Sequence, residues 1–187
     1  MSTLSIEHLS VSAGEKQLLS DISLTLQSGE MHILMGPNGS GKSSLLNALM
    51  GHPRYTITEG KMVLDGEEIT SLSTEKKAKL GLFLSLQHLP EIAGVTLTNF
   101  LHRAAKEVKG STQGPLEFYR ASEAKAKDAG IDPVFLKKHV NTGLSGGEKK
   151  QSEVLQLLIL EPKFAFLDEI DSGVDVDAMK KVYAGIE

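Results

Sequence analysis

The sequence predicts an α/β protein with a mainly parallel core sheet, an N-terminal antiparallel β part and an inserted α-helical part. Near the N-terminus, short apolar segments alternate with polar residues, as in an antiparallel sheet with one face in water. Further along, short apolar runs alternate with helical patterns, which is typical of strands in a parallel sheet. Between residues 89 and 140 helix signals occur without a strand signal.

The elements before the middle of the chain follow from local signals. Apolar residues alternate roughly with polar ones over 4–11 and cleanly over 22–26, which predicts two strands. The continuously apolar segment Met31–Met35 predicts a buried strand that runs into a glycine-rich turn. Ser43–Met50 is predicted to be a helix, because its leucines share one side and Gly51 can end it.

Three more elements are predicted before residue 89. Lys61–Leu64 predicts a strand that enters the turn Asp65-Gly66. A short helix is expected over Thr74–Leu80, with Ser73 as its N-cap and Gly81 as its end. Its three lysines (Lys76, Lys77 and Lys79) are expected to form a solvated face. Leu82–Leu86 predicts an apolar strand.

The remaining signals predict how the chain is organised. Pro115 can open a helix that Gly130 ends, and Asp132-Pro133 can open another. A helix over Glu148–Leu160 and a buried strand over Phe164–Leu167 follow. We therefore expect one domain over residues 1–187, in which a core of 1–88 and 141–187 encloses a helical subdomain at 89–140.

Composition excludes several classes of function. The 187 residues carry a formal net charge of −4, so strong attraction to nucleic acid is not expected. No cysteine is present, which excludes disulfides, thiolate metal sites and a cysteine nucleophile in this chain. No apolar run approaches the roughly 20 residues that span a bilayer. These features fit a reducing cytoplasm.

One glycine-rich segment has the complete pattern of a phosphate-binding loop. The sequence between residues 36 and 43 reads G-x-x-x-x-G-K-S, between a predicted strand and a predicted helix. The glycines let backbone N–H groups turn toward phosphate oxygens, and the helix dipole adds positive potential there. Lys42 can reach the β- and γ-phosphates, and the Ser43 hydroxyl can bind Mg²⁺. The predicted phosphate-binding residues are Gly36, Pro37, Asn38, Gly39, Ser40, Gly41, Lys42, Ser43 and Ser44.

Two further features complete the predicted site. Asp168 and Glu169 end an apolar strand, which predicts that Asp168 holds Mg²⁺ and that Glu169 orients and deprotonates an attacking water. Leu144–Glu148 places a serine and two glycines at the start of a helix, which can also present N–H groups to an anion.

In this order the motifs resemble those of ABC-type ATPases, which have a P-loop NTPase fold, over essentially the whole chain. Residues 36–43 match Walker A, Gln87 the Q-loop glutamine, 144–148 the signature, 164–169 Walker B and 172–175 the D-loop. The resemblance implies that ATP and Mg²⁺ bind between two copies of the chain. It implies that Ser145 and Gly147 contact the γ-phosphate bound to the partner copy, that Gln87 senses metal and water, and that Glu169 is the catalytic base.

Within that family the chain is most similar to the SufC group, the ATPases of Suf iron–sulfur cluster assembly. The residues that carry this likeness are 168–175 (DEIDSGVD), 87–95 (QHLPEIAGV), 145–150 (SGGEKK) and 55–60 (YTITEG). The likeness implies a cytoplasmic ATPase with SufB- and SufD-like scaffold subunits as partners, and no nucleic acid or membrane insertion. The alternatives are the nucleotide-binding subunit of an ABC transporter and a nucleotide-binding fragment with little turnover.

Two departures from the family pattern lead to expectations. No aromatic residue precedes Tyr55, so the stacking contact to adenine is missing and weak nucleotide affinity is expected in a monomer. No histidine follows Walker B, so the switch-histidine region is absent from the chain. We therefore expect a C-terminally truncated ATPase with poor turnover and a gap in its core sheet.

Overall fold

The computed structural model describes residues 1–85 and 90–168. The chain divides into two compact units, Met1–Leu84 and Ser85–Glu187, which are taken in turn. The first unit contains five strands and two helices: β1 (Thr3–Ala13), β2 (Lys16–Gln27), α1 (Lys42–Met50), β3 (Thr56–Leu64), β4 (Glu67–Glu68), α2 (Thr74–Lys79) and β5 (Leu82–Leu84).

The N-terminal part is an antiparallel sheet, as its alternating pattern predicts. Four strands lie in the order β2-β1-β3-β4, with every neighbouring pair antiparallel. β1 is central and buries Leu4, Ile6, Leu9 and Val11 almost completely, whereas β2 lies at the edge and is half exposed. The buried side chains Met62 and Leu64 of β3 extend this apolar face.

A β-bulge interrupts the central strand. The pairing of β1 with both neighbours shifts register just after Ile6 and Glu7, where His8 has a left-handed φ of 51°. Gly60 of β3, with a φ of +79°, crosses this bulge so closely that a Cβ atom there would lie 2.4 Å from the carbonyl oxygens of Glu7 and His8. Only glycine fits at this crossing.

Local signals predict the two helices of this unit well. Gly51 ends α1 in the left-handed conformation, and its N–H donates to the Ala48 carbonyl while the N–H of His52 donates to that of Asn47. In α2, Ser73 is the N-cap and its hydroxyl accepts from the N–H of Lys76. Leu45, Ala48 and Leu49 of α1 are buried.

The expectation that Lys77 belongs to a solvated face is wrong. Lys76 and Lys79 are exposed, but Lys77 is 0% exposed and its Nζ donates to the Leu49 carbonyl oxygen at 2.9 Å. Burial lowers the pKa of the Lys77 ammonium to about 8. A helix of six residues directs few side chains inward, and here one of the inward positions is a lysine.

The expectation of a buried strand over Met31–Met35 is also wrong. This segment has no regular structure, and Met31, Ile33, Leu34 and Met35 are 62%, 77%, 49% and 85% exposed. A strand is stable only when a neighbouring strand pairs with its N–H and C=O groups. No strand within the described ranges 1–85 and 90–168 pairs with it, so the apolar pattern alone does not produce a strand.

The second unit is mainly helical. Its elements are β6 (Ile92–Thr96), α3 (Leu97–Lys109), α4 (Pro115–Asp128), a 3₁₀ helix (Pro133–Lys137), β7 (His139–Val140), α5 (Gly146–Leu160) and β8 (Phe164–Phe166). Pro115, Gly130 and Asp132-Pro133 bound helices as predicted, and α5 starts two residues before its predicted start.

The structure contradicts the prediction that residues 89–140 lack strands. β6 and β7 form an antiparallel pair in which Ile92 lies opposite Val140 and Thr96 opposite His139, with a register irregularity between them. β7 has two residues and β6 contains Gly94 at a φ of +80°, so neither segment has a clear periodic pattern. Their pairing partner lies more than forty residues away in the chain.

The helices of the second unit pack through short apolar stripes and one ionic cluster. α3 buries Leu97, Leu101 and Ala105, which are spaced by one helical turn. Glu161, just after α5, pairs with Lys109 of α3 and Lys125 of α4, and these two ammonium groups lower the pKa of its carboxyl group. Among the described helices, none is long and apolar enough to cross a membrane.

Replacing two glycines by alanine, one at a time, tests the close contact of β3 with the β-bulge. We expect Gly60→Ala to lower the free energy of unfolding by about 3 kcal/mol or more, because the new methyl group meets two backbone oxygens and φ is positive. Gly66→Ala is the matched control, since Gly66 also has a positive φ but open space around it. It should cost only about 1 kcal/mol. Urea denaturation measures the free energy of unfolding of both variants. Equal losses of stability would contradict the close contact between Gly60 and the β-bulge.

Candidate functional site

The phosphate loop is built by glycines at positions that other residues adopt poorly. Gly39 and Gly41 have φ values of +81° and +97°, in the left-handed region that favours glycine. The N–H of Ser40 donates to the Pro37 carbonyl oxygen at 3.2 Å, which closes a turn before α1. A Cβ at Gly36 would lie 2.8 Å from the Ser40 hydroxyl oxygen, so the loop also closes on itself. These contacts fix the curl that the motif predicts.

Among the described residues, no side chain caps the N–H groups at the start of α1. Gly41 is the N-cap and has no side chain to accept from the first-turn N–H groups. No acidic residue lies in the first turn of the helix. Lys42, Ser43 and Ser44 are half exposed at this end, so the helix start is accessible. A helix start without a side-chain cap from the described residues, beside an accessible lysine, is suited to an anion.

The Lys42 side chain lies across the loop itself. Its Nζ donates to the carbonyl oxygens of Gly36 at 2.8 Å and Pro37 at 3.0 Å. Both are neutral acceptors on an exposed segment, so a phosphate oxygen would be a stronger, charge-assisted partner for the same ammonium. Lys42 is therefore held at the loop and is free to exchange one acceptor for another.

The acidic strand end is only partly within the described residues. Asp168 lies two residues after β8 and is 8% exposed. The strand is held by a hydrogen bond from the Ser85 N–H to the Phe166 carbonyl oxygen at 2.8 Å. The predicted catalytic residues Gln87 and Glu169 lie outside the described residues.

Ser145 is the N-cap of α5, and its capping partner is Glu148. The Ser145 N–H and hydroxyl both donate to Oε2 of Glu148 at 2.8 Å, while the N–H of Glu148 donates back to the Ser145 hydroxyl oxygen at 3.4 Å. This is a complete capping box. Gly146 and Gly147 form the first turn of the helix, and a Cβ at Gly146 would meet nothing within 4 Å.

A lysine outside the signature completes this helix start. The Nζ of Lys138 donates to Oε1 of Glu148 at 2.7 Å. This ammonium, together with the two donors of Ser145, lowers the pKa of the Glu148 carboxyl group to about 2. Glu148 is therefore an anion at neutral pH, with its charge balanced by Lys138.

Two contacts join the segment after the Q-loop to the residues around the signature. The Asn141 side-chain amide donates to the Pro90 carbonyl oxygen at 2.9 Å, and Lys149 pairs with Glu91 at 2.9 Å. Sequence patterns single out neither pair, because each joins residues more than fifty positions apart. Asn141 has a left-handed φ of 57°, a conformation that asparagine adopts more readily than most residues.

Comparison with known proteins identifies the family. The sequence matches the family described as "ABC transporter" over residues 19–172. The chain belongs to the ABC transporter family. The matched range includes segments 36–43, 144–148 and 164–169, whose assignment as Walker A, signature and Walker B motifs stays a prediction.

Several known proteins have sequences similar to nearly the whole of this chain. "Vegetative protein 296" of Bacillus subtilis is 44% identical over 99% of this chain and 72% of its own length. A "Probable ABC transporter ATP-binding protein" of Streptococcus pyogenes is 45% identical over 100% of this chain and 73% of its own. "Probable ATP-dependent transporter ycf16" of the alga Antithamnion is 42% identical over 96% of this chain and 73% of its own.

Solved structures support the same fold at lower identity. The "ATP binding subunit of ABC transporter" aligns with a TM-score of 0.82 at 21% identity, over 98% of this chain and 72% of its own. The dimeric cassette MJ0796 aligns with a TM-score of 0.80 at 20% identity, over 98% and 81%. The predicted α/β fold of the P-loop ABC type, with its antiparallel β part, is confirmed.

Replacing Lys138 tests the charge balance at the signature helix. In Lys138→Met we expect the pKa of Glu148 to rise from about 2 toward its ordinary range, because its largest stabilising contact is removed. Carbon-13 NMR of labelled glutamate carboxyl groups during an acid titration measures this pKa. Lys149→Met is the matched control, since Lys149 pairs with Glu91 instead. An unchanged Glu148 pKa in Lys138→Met would contradict the assignment.

Proposed function

We propose that the chain is the ATP-binding and ATP-hydrolysing subunit of a Suf-type iron–sulfur cluster assembly complex in the cytoplasm. In this proposal two copies close around ATP, and that closure changes the shape of SufB- and SufD-like scaffold subunits. Family membership supports the ATPase part of the proposal. The Suf part is supported by the sequence likeness at residues 168–175 and 87–95.

The observation that carries nucleotide binding is the uncapped start of α1 with Lys42 lying across the loop. The chain supplies no side-chain cap and no acidic residue at this helix start. Within the described part of the chain, Lys42 bonds only to neutral carbonyl oxygens there. A triphosphate would receive backbone N–H groups, a helix dipole and an ammonium together. The residues that hold it are 36–44.

Two of the predicted Mg²⁺ ligands each carry a side-chain oxygen of the right chemical kind. Ser43 offers a half-exposed hydroxyl and Asp168 a nearly buried carboxylate, both oxygen donors of the kind that Mg²⁺ prefers. No group of three or more His, Cys, Asp or Glu side chains within the described part of the chain could hold a metal alone. Mg²⁺ is commonly held by one or two protein oxygens with the substrate phosphates, and it neutralises their charge.

The remaining roles come from the family resemblance. Glu169 would orient and deprotonate the attacking water, and Gln87 would sense metal and water. Ser145 and Gly147 of the partner copy donate to the γ-phosphate. In the structure the Ser145 hydroxyl donates to Glu148. It must therefore turn away from Glu148 before it can donate to a phosphate.

A transporter role is the second candidate. The Streptococcus pyogenes relative is named as an ABC transporter ATP-binding protein and the Antithamnion relative as an ATP-dependent transporter, which favours a membrane partner.

Binding and turnover of ATP test the ATPase proposal. We expect Lys42→Ala to weaken ADP and ATP binding about tenfold or more, because it removes a charge-assisted contact to phosphate. Lys76→Ala, an exposed lysine of the same unit, is the control and should bind as the unaltered chain does. Calorimetry measures the affinity. Equal affinities in the two variants would contradict the site, and ATP turnover that survives Glu169→Gln would contradict the proposed base.

Affinity purification from cells separates the Suf and transporter candidates. We expect the tagged chain to retain proteins of the SufB and SufD type from the soluble fraction. Glu91→Lys is a useful comparison, because it disrupts the pair with Lys149 beside the expected partner segment 87–95. Recovery of an integral membrane protein in place of the soluble scaffolds would favour the transporter role.

A further inference from the structure

Lys77 is a buried lysine without a carboxylate partner among the described residues. Its side chain is 0% exposed, and Nζ contacts the Leu49 carbonyl oxygen at 2.9 Å and the Met62 sulfur at 3.9 Å. Burying an ammonium is costly unless it forms hydrogen bonds, which accounts for the lowered pKa of about 8. An apolar side chain would fill the same volume without that cost. The lysine therefore needs a reason beyond packing.

The reason lies in the last turn of α1. The carbonyl oxygens of Asn47 and Ala48 accept from the N–H groups of His52 and Gly51. Leu49 is one residue further on, and its carbonyl oxygen accepts from the Lys77 side chain. An ammonium beside the C-terminal carbonyls of a helix is also favoured by the helix dipole.

A second contact joins α2 to the same helix end. The Thr74 hydroxyl donates to the Gly51 carbonyl oxygen at 3.2 Å. Thr74 is the first residue of α2 and Lys77 lies three residues later, so the two side chains leave adjacent turns of one short helix. We call Lys77 and Thr74 the α1 clamp.

The clamped helix is short, and its other end is the phosphate site. α1 has nine residues, from Lys42 to Met50. The helical rise places Leu49 roughly 10 Å from Lys42 along the axis. A helix of this length is marginal without tertiary contacts, so loosening its last turn affects the whole element. The position of the Lys42 and Ser43 backbone thus depends on how the C-terminal end is held.

We propose that Lys77 is a positioning residue for the phosphate loop, which acts by anchoring the C-terminal end of α1 through the Leu49 carbonyl oxygen. It touches neither nucleotide nor metal. This inference rests on the proposed nucleotide binding by residues 36–44. It differs from a purely structural role, in which Lys77 would affect the stability of the unit and leave nucleotide affinity unchanged.

The test measures the Kd for ADP in the full chain at a temperature where circular dichroism shows each variant to be folded. Lys77→Met keeps the length of the side chain and removes the donor. We expect it to raise the Kd about tenfold, within the usual range of coupling between sites. Lys77→Arg keeps a cationic donor and should bind ADP more tightly than Lys77→Met.

Thr74→Val and Ile69→Val complete the experiment. Thr74→Val removes the other contact of the α1 clamp at an exposed position, so it should fold and raise the Kd about threefold. Ile69 is buried in the same unit, and its change to valine should lower the melting temperature without changing the Kd. If folded Lys77→Met binds ADP like the unaltered chain, the inference is wrong. If Lys77→Met does not fold, an unchanged Kd in Thr74→Val overturns it.

Lys42→Ala separates this inference from the proposed function. Suppose that Lys42→Ala binds ADP weakly while Lys77→Met and Thr74→Val bind it like the unaltered chain. That result would reject the role of Lys77 and leave the phosphate site intact. Unchanged binding by Lys42→Ala would reject the phosphate site itself.

Discussion

The first unit depends on how the unpaired backbone groups at the two ends of α1 are satisfied. A helix leaves N–H groups unpaired at its start and carbonyl oxygens unpaired at its end, and a nine-residue helix has few internal bonds to offset them. Three carbonyl oxygens at the end receive donors, from the N–H groups of Gly51 and His52 and from the side chain of Lys77. It leaves the start without a cap. Under the proposed function, this asymmetry makes one end an anchor and the other the phosphate-binding end.

The start of α5 solves the same problem in a different way. Ser145 and Glu148 cap the helix internally, and Lys138 balances the carboxylate. A phosphate that approached this end would find the Ser145 donors already engaged by an anion. It would therefore have to replace Glu148, whereas at α1 it would replace only neutral carbonyl acceptors of Lys42. The two glycine motifs of the chain thus differ in how readily each accepts an anion.

Features with local causes are those that the sequence predicts correctly. Gly51, Ser73, Pro115 and Ser145 mark helix ends because capping and backbone geometry act over a few residues. The phosphate loop belongs to the same class, since its shape follows from glycines within one short segment. For this reason the fold type could be recognised, and comparison with known proteins confirms the family, while the roles of the Walker A residues stay a prediction.

The errors have a common origin in contacts between distant parts of the chain. Met31–Met35 has the apolar pattern of a buried strand. Such a pattern reports only on side chains, whereas a strand also needs a neighbouring strand to pair with its backbone N–H and C=O groups. β6 and β7 are the converse case, since pairing across more than forty residues forms strands that carry little pattern. Lys77 is indistinguishable in sequence from the exposed Lys76 beside it. What distinguishes it is an unpaired carbonyl oxygen on another helix, and no property of α2 itself contains that information. A lysine that faces inward from a short amphipathic helix is therefore best interpreted by asking which backbone acceptor it reaches.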